Sequence, residues 1–444
     1  MSDFVLIEQK MRRAGIAEAA IEAFRHSVQV LQSGAQMMIP ESEIRPAEGV
    51  MDWEEAVSGT APADAELLRQ MVVIKLNGGL GTSMGLQKAK SLLEIKPGVT
   101  FLDTIVRQVR SLRKAAGCPV RLLLMNSFST SADTLAHLQR YAEEGFGDAA
   151  QVEMMQNRVP KLLVDTLAPA EYPEAPELEW CPPGHGDLYA ALVGSGRLEE
   201  LLAAGVRYAF ISNSDNLGAQ PDTRFLRCFA ESGAPFVMEV TRRTEADRKG
   251  GHLATRRSDG QLLLRETAQC LPEDAESFSN IERHRYFNTN NLWLSLDSLR
   301  DYLAEHAGVM PLPVIRNEKT LNPRDASTPH VYQLETAMGA AIQCFPGARA
   351  VCVPRSRFFP VKTCSDLLLL RSDAVEIDAS GCMQLAPECG GVAPVVLLDS
   401  RCYKQVDSLA ALGVPSLKHC RRLVVRGPHH FADAEPLSGE VEIG

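Results

Sequence analysis

Glycines, lysines and small oxygen-bearing side chains recur in this sequence just behind apolar runs. The densest stretch is Leu76-Asn77-Gly78-Gly79-Leu80-Gly81-Thr82-Ser83-Met84-Gly85. Four glycines after an apolar run let the main chain approach a ligand closely, and successive N–H groups in such a turn can cradle an anionic phosphate. Lys90 follows and offers a mobile positive charge. The Walker loop does not fit, because Gly85 is followed by Leu86 and Gln87 rather than by Lys and Ser or Thr. The dinucleotide fingerprint does not fit either, because the spacing from Gly81 to Gly85 is one residue too long. By itself, such a loop reads equally well as a turn that seats a helix against a sheet.

Four further clusters carry usable chemistry. In Pro182-Pro183-Gly184-His185-Gly186-Asp187, Asp187 suits a helix N-cap. The flanking glycines leave His185 on an exposed turn, where it could bond a ligand hydroxyl or phosphate; alone, a plain turn is the better reading. Ser212-Asn213-Ser214-Asp215-Asn216 ends an apolar run, and an acid there is placed to hold Mg²⁺, which wants oxygen ligands; alone, it reads equally well as a solvated acid in a turn. Tyr286-Phe287-Asn288-Thr289-Asn290-Asn291-Leu292-Trp293 offers amides suited to sugar hydroxyls, or else a turn-rich loop. Pro354-Arg355-Ser356-Arg357-Phe358-Phe359-Pro360-Val361-Lys362-Thr363 is basic. Lys362 suits a phosphate, while Arg355 and Arg357 each read as solvated. Lys249-Gly250-Gly251 reads as a turn.

These clusters need a scaffold. Residues 1–70 read as a helical segment, with Ile16, Ile21, Phe24, Val28 and Leu31 on one face. From Met71 to about Leu370, apolar runs alternate with amphipathic stretches. Met71 to Leu76, Val120 to Met125, Tyr208 to Ile211 and Pro235 to Val240 read as strands. Residues 101–115, 131–144 and 187–204 read as helices. This alternation predicts an α/β domain with a mostly parallel sheet, whose ligands collect at the carboxyl ends of the strands. Residues 376–444 hold short β-like pieces divided by Gly, Pro and Asp, and read as a small separate domain.

The totals exclude several classes. The 444 residues are 45% hydrophobic and 23% charged, an ordinary globular balance. A net charge of -10 argues against a broad nucleic-acid or membrane surface, and no apolar stretch nears the ~20 residues of a membrane span. Eleven scattered cysteines without a C-x-x-C pair suggest buried thiols in a reducing cytoplasm rather than a zinc site or disulfides.

The order of the motifs says more than any one of them. The glycine loop, Lys90-Ser91, Met125-Asn126-Ser127-Phe128, Pro-Pro-Gly-His-Gly-Asp, Asn216-Leu217-Gly218-Ala219, Phe-Asn-Thr-Asn-Asn-Leu-Trp, Gln333-Leu334-Glu335-Thr336-Ala337 and the basic stretch ending in Lys362-Thr363 together resemble the eukaryotic-type UTP–glucose-1-phosphate uridylyltransferases, the UDP-glucose pyrophosphorylases. The resemblance implies a Rossmann-like, GT-A-like nucleotidyltransferase domain over 71–370, a mixed sheet flanked by helices. It also implies a short left-handed β-helix-like domain over 376–444. Carried across, Leu76, Asn77, Gly78 and Gly79 hold UTP through the loop backbone, and Lys90 meets its phosphates. Gln156 and Gly184 read the uracil. His185 and Asn213 meet the sugar phosphate, with Gly251 and Asn290 near the glucose. Asp215 binds Mg²⁺ beside UTP, and Lys362 is the main catalytic cation.

The stretch Leu86-Gln87-Lys88-Ala89-Lys90 departs from the family's Cys-Lys-Gly-Pro-Lys, and Arg158-Val159-Pro160-Lys161-Leu162 from its Arg-Tyr-Pro-Arg-Ile. The sequence also stops at Gly444, where relatives continue through more β-helix turns, which leaves monomer or homo-oligomer open. The implied reaction joins UTP to glucose 1-phosphate with release of pyrophosphate. One alternative is a pyrophosphorylase for galactose 1-phosphate or an N-acetylhexosamine 1-phosphate. Another is a nucleotide-sugar-binding regulator without catalysis, against which Lys90, Asp215 and Lys362 speak.

Overall fold

The computed structural model describes residues 3–34 and 37–444. Its centre is an eleven-stranded mixed sheet. The main path runs Met51–Asp52, Arg349–Cys352, Phe236–Arg242, Tyr286–Ser295, Tyr208–Asn213, Met71–Asn77, Arg121–Asn126, Glu153–Met155. Tyr286–Ser295 runs antiparallel to both of its neighbours, and the other pairings on this path are parallel. Parallel pairing therefore holds along most of this path, whereas Ile44–Pro46, His252–Arg256 and Leu262–Arg265 add antiparallel pairings beside it, so the sheet as a whole is mixed rather than mostly parallel.

The strand Met71–Asn77 shows why apolar runs become central strands. All seven residues are buried. Val72, Ile74 and Leu76 enter the hydrophobic cluster on one face, and Met71 and Val73 enter the other. Alternate side chains point to opposite faces, so a strand covered by helices on both sides is apolar on both, and here only Lys75 and Asn77 depart from that. One face is covered by helices including Phe101–Ala116 and Thr223–Ser232. The other is covered by Leu188–Gly194, Arg197–Ala203 and Leu296–Glu305. Phe101–Ala116 is fixed by a capping box between Thr100 and Asp103 and closed by Gly117 in the left-handed region.

Several expectations are corrected. The stretch 1–70 is helical mainly at Asp3–Arg13 and Glu18–Gln32. Farther on, Ile44–Pro46 pairs with His252–Arg256, and Met51–Asp52 extends the main sheet. Strands of two or three residues leave no periodicity, and here distant partners specify them. The helix expected over 187–204 is two helices broken around Gly196, whose φ is +73°. The helix expected over 131–144 ends at Leu138 and continues as a 3-10 turn. The amide-rich stretch from Tyr286 is a strand rather than a loop.

Besides the short antiparallel pair Val375–Ile377 and Met383–Leu385, the C-terminal stretch carries Val395–Leu398, Ser416–Val425 and Pro436–Ile443, paired in parallel. Leu409, Leu417, Leu423 and Phe431 from this region join the same hydrophobic cluster as the sheet face. No helix among the described residues is long and apolar enough to cross a membrane.

Candidate active site

The parallel strands bring their carboxyl ends into register. Asn77 lies opposite Asn126, Asn126 opposite Met155, and Leu76 opposite Asn213. The glycine loop, Gln156 and the Asn213–Asp215 turn thus leave the sheet along one edge. The reversed strand brings Asn290 and Asn291 to the same edge, because Leu292 lies opposite Ile211.

The glycine loop is pinned at both ends. Ser127 Oγ donates to the Gly78 carbonyl at 2.9 Å, and the Lys90 N–H donates to the Gly79 carbonyl at 3.1 Å. Gly79 is exposed with open space beside its Cα, whereas a Cβ on Gly78 would stand 2.6 Å from Gln156 Oε1. The Asn77 side chain turns inward and donates to Asn126 Oδ1 at 2.7 Å and Thr134 Oγ1 at 3.0 Å. Asn77 can therefore serve a ligand only through its main chain.

Gln156 and Gly184 meet directly, with Gln156 Nε2 donating to the Gly184 carbonyl at 3.0 Å. Gly184 has φ +81°, and a Cβ there would collide with the Thr336 carbonyl, so glycine is required on both counts. His185 is half-buried rather than exposed, and its Nδ1 accepts the Met338 N–H at 3.0 Å. Burial, then the nearby charge of Lys362, push its pKa down to about 4, so it works as a neutral imidazole. Asp187 does not cap its helix. Its buried carboxylate instead accepts from Asn157, and burial pushes its pKa up to about 7. The structure thus corrects both the exposed His185 and the capping Asp187.

Lys90 and the main chain of Val361 converge on Asp215. Lys90 Nζ donates to Asp215 Oδ2 at 2.6 Å and also to the Val361 carbonyl. The Val361 N–H donates to the Asp215 main-chain carbonyl at 3.2 Å, and Asn216 bridges to Pro360. Lys362 is therefore the next residue along from the Asp215 junction. It is exposed, and its amine has no hydrogen bond or ion pair among the described residues. It borders a cavity of about 460 Å³ together with Lys249, Gly250, Phe287 and Phe358.

The loop carrying Lys362 is anchored from below. Arg357 makes two bonds to Glu239, at 2.6 and 3.0 Å, and stacks 4.4 Å from the Trp53 ring centroid. Glu239 is fully buried and also accepts from Trp293 and Asn291. The Arg357 carbonyl accepts from Asn216 and Asn291. Arg357 is thus a buried anchor rather than a solvated charge, and Arg355 is paired with Asp247. Beneath the glycine loop, buried Lys75 donates to Ser212 Oγ and the Ala219 carbonyl, each at 2.7 Å. Desolvation, then repulsion by Arg357, push its pKa down to about 7.

On the remaining side, Gly251 and Asn290 are joined through Asn288. The Asn288 N–H donates to the Gly251 carbonyl at 3.3 Å, and Asn288 exchanges two bonds with Asn290. Asn290 has φ +58° beside an irregularity in the pairing with Phe236–Arg242. Sequence reasoning missed Glu266, whose carboxylate fills the space a Cβ on Gly251 would take. Burial pushes its pKa up, and the charge of Lys362 pulls the other way. Lys362 thus acts electrostatically on both His185 and Glu266, residues of separate clusters. A lone acid fifteen positions after Gly251 gave no signal; only the close approach to glycine reveals it.

Among the described residues no three His, Cys, Asp or Glu side chains gather as a metal cage. Asp215, with an 18% exposed side chain, still fits Mg²⁺, which takes one or two carboxylates and fills its shell with water and substrate phosphates.

The family model for UTP–glucose-1-phosphate uridylyltransferase matches residues 21–437. The UTP–glucose-1-phosphate uridylyltransferase of Saccharomyces cerevisiae is 41% identical over 386 residues, which span 86% of this chain and 75% of that protein. The Solanum tuberosum protein of the same name is 39% identical over 386 residues, 86% of this chain and 78% of its own. Among solved structures, the UDP-glucose pyrophosphorylase from Leishmania major, known in open and closed forms, superposes with TM-score 0.93 at 47% identity, over 100% of this chain and 94% of that one. A mutant of that enzyme in complex with UDP-glucose gives 0.93 at 47%, with the same coverage. The UDP-glucose phosphorylase from Trypanosoma brucei gives 0.90 at 43%, over 100% of both chains.

Proposed function

We infer the function from one premise: this chain belongs to the UTP–glucose-1-phosphate uridylyltransferase family. It transfers the uridylyl group of UTP to glucose 1-phosphate, giving UDP-glucose and pyrophosphate. A phosphate oxygen of glucose 1-phosphate attacks the α-phosphorus of UTP. The new P–O bond forms as the bond to the β-phosphate bridging oxygen breaks, and pyrophosphate leaves with that electron pair. The nucleophile is already ionised at neutral pH, so no general base is needed. Two anions must nevertheless meet, and positioning with charge neutralisation is the protein's task.

The observation that carries this reading is the junction at Asp215, where Lys90 binds both the carboxylate and the carbonyl of Val361. In our reading the backbone of Leu76, Asn77, Gly78 and Gly79 receives the triphosphate, and Gln156 with Gly184 reads the uracil. Lys90 and Lys362 neutralise the phosphates. His185 and Asn213 contact the sugar phosphate, and Gly251, Asn290 and Glu266 face glucose hydroxyls. Asp215 would hold Mg²⁺, with Lys90 beside the carboxylate. Bound there, Mg²⁺ stabilises the charge that develops on the phosphate oxygens.

A catalytic unit over 71–370 and a short β-helix over 376–444 fit the sheet and the parallel C-terminal ladder. Eleven free cysteines support a reducing, cytoplasmic setting. Pyrophosphate release by the purified chain tests the reading. UTP with glucose 1-phosphate is expected to turn over faster than any pairing with CTP, ATP, galactose 1-phosphate or N-acetylglucosamine 1-phosphate. A faster rate with another pair overturns it.

A further inference from the structure

Asp187 occupies an N-cap position but gives its helix no side-chain bond. Its carboxylate accepts the main-chain N–H of Asn157 at 2.7 Å, and Asn157 Nδ2 reaches both of its oxygens at 3.1 Å. Asp187 is only 6% exposed. Burying an acid is unfavourable, and these three bonds offset part of that cost.

The clasp lies beside the pair that meets the base. Asn157 follows Gln156 directly, and Asp187 lies three residues after Gly184. Two contacts thus join the same two segments: Gln156 Nε2 to the Gly184 carbonyl, and Asn157 to Asp187. The loop's other side is held independently. Thr336 N–H donates to the Pro183 carbonyl at 2.9 Å, and Met338 N–H donates to His185 Nδ1.

The orientation of one amide decides what Gln156 presents. While Nε2 is committed to the Gly184 carbonyl, Oε1 is left as an acceptor beside Gly78. Uracil offers an N3–H donor to such an acceptor. Cytosine offers a lone pair at N3, which an acceptor repels. A Gln released from Gly184 could rotate and offer its NH₂ instead, serving cytosine equally well.

We propose that Asp187, through Asn157, is a positioning residue that keeps the Gln156 amide in its uracil-accepting orientation and so sets selectivity for UTP over CTP. The inference rests on the reading above that Gln156 and Gly184 face the base. A polar site discriminates strongly only while its groups are held so that the wrong partner leaves them unpaired.

The test is the ratio of kcat/KM for UTP to that for CTP, with glucose 1-phosphate as co-substrate. Asp187→Asn and, separately, Asn157→Ala should each lower this ratio about tenfold or more, through a raised KM for UTP and a kcat near that of the parent. Asn157→Ala reads the same clasp if Asp187→Asn fails to fold. Combining Asp187→Asn with Asn157→Asp re-forms the pair in reverse and should restore part of the ratio. A fall in Tm with the ratio unchanged in the clasp variants would show a merely structural role and overturn the inference. Gln156→Ala separates the two levels. If it collapses the ratio while the clasp variants keep it, only this inference fails. If it leaves the ratio intact, the reading of the base site fails and takes this inference with it.

Discussion

The bank of the cleft at Gln156 and Gly184, proposed to read the base, is fastened by bonds between neighbouring segments, whereas the Lys362 bank is fastened from beneath and leaves its amine without a partner among the described residues. Gln156 bonds Gly184 and stands beside Gly78, and Asn157 bonds Asp187, while Ser127, Thr336 and Met338 hold these loops from their other sides. On the other bank, Arg357 is locked into buried Glu239, five residues before an amine with no partner among the described residues. The contrast follows from the two tasks. Reading a base needs fixed donors and acceptors, since a misplaced group discriminates poorly. Neutralising a phosphate needs a point charge that can follow its target, which lysine supplies on a flexible stem. Lys90 stands between these designs, as a lysine already paired with Asp215.

The contrast can be broken or sharpened at four places. The largest effect is expected at Lys362. Lys362→Ala should lower kcat by about 10³-fold, the scale of losing one group that stabilises charge in the transition state. Its Tm should stay near that of the parent, since the amine holds no structural bond. A clear fall in Tm would mean that this bank, too, is fastened by its working residue. Next comes the anchor. Glu239→Gln leaves the Arg357 charge buried without its counter-ion and should cost about 3 kcal/mol of stability, read by chemical denaturation. Little change in stability would remove the anchor from the account.

On the base bank, Gly184→Ala forces a Cβ into Thr336 at a positive φ. It should raise the KM for UTP about tenfold, the scale of one strained backbone position, with less effect on the KM for glucose 1-phosphate. Equal effects on both substrates would dissolve the division of the cleft.

The smallest effect is a pH slope. His185 titrates near about 4 in the fold against 6.5 ordinarily, so across that window the unfolded chain binds the extra proton and stability falls as pH falls. Asp187 titrates near about 7 in the fold against 3.8 ordinarily, so there the folded chain holds the extra proton and stability rises as pH falls. The two slopes oppose each other between pH 6.5 and 4. Asp187→Asn removes only the second, so its Tm should drop more steeply than the parent's as pH is lowered through this window. Parallel Tm curves would contradict these assignments.

The sheet strands that carry the site were legible because burial on both faces leaves a nearly continuous apolar run, as at Met71 to Ile74. Glycines, lysines and asparagines behind those runs marked the edge where ligands collect. Pairings across long sequence distances were not legible. Nothing local says that Arg357 belongs to Glu239, that Asp187 serves Asn157 rather than its own helix, or that Lys75 in an apolar run bonds Ser212. A charge reads as solvated until its partner is seen. His185 read as exposed because flanking glycines signal a turn, and a turn signal carries no information about what packs over it. The two-residue strand Met51–Asp52 escaped notice for the same reason, since its partner at Val351 and Cys352 is three hundred residues away in the sequence.

The junction at Asp215 is the point on which two phosphates are expected to meet, and magnesium titration of turnover in Asp215→Asn tests it most directly. The expected result is that half-maximal pyrophosphate release needs about tenfold more magnesium or beyond, because the carboxylate proposed to hold the ion has lost its charge. An unchanged magnesium response with near-parental turnover would contradict the proposed site.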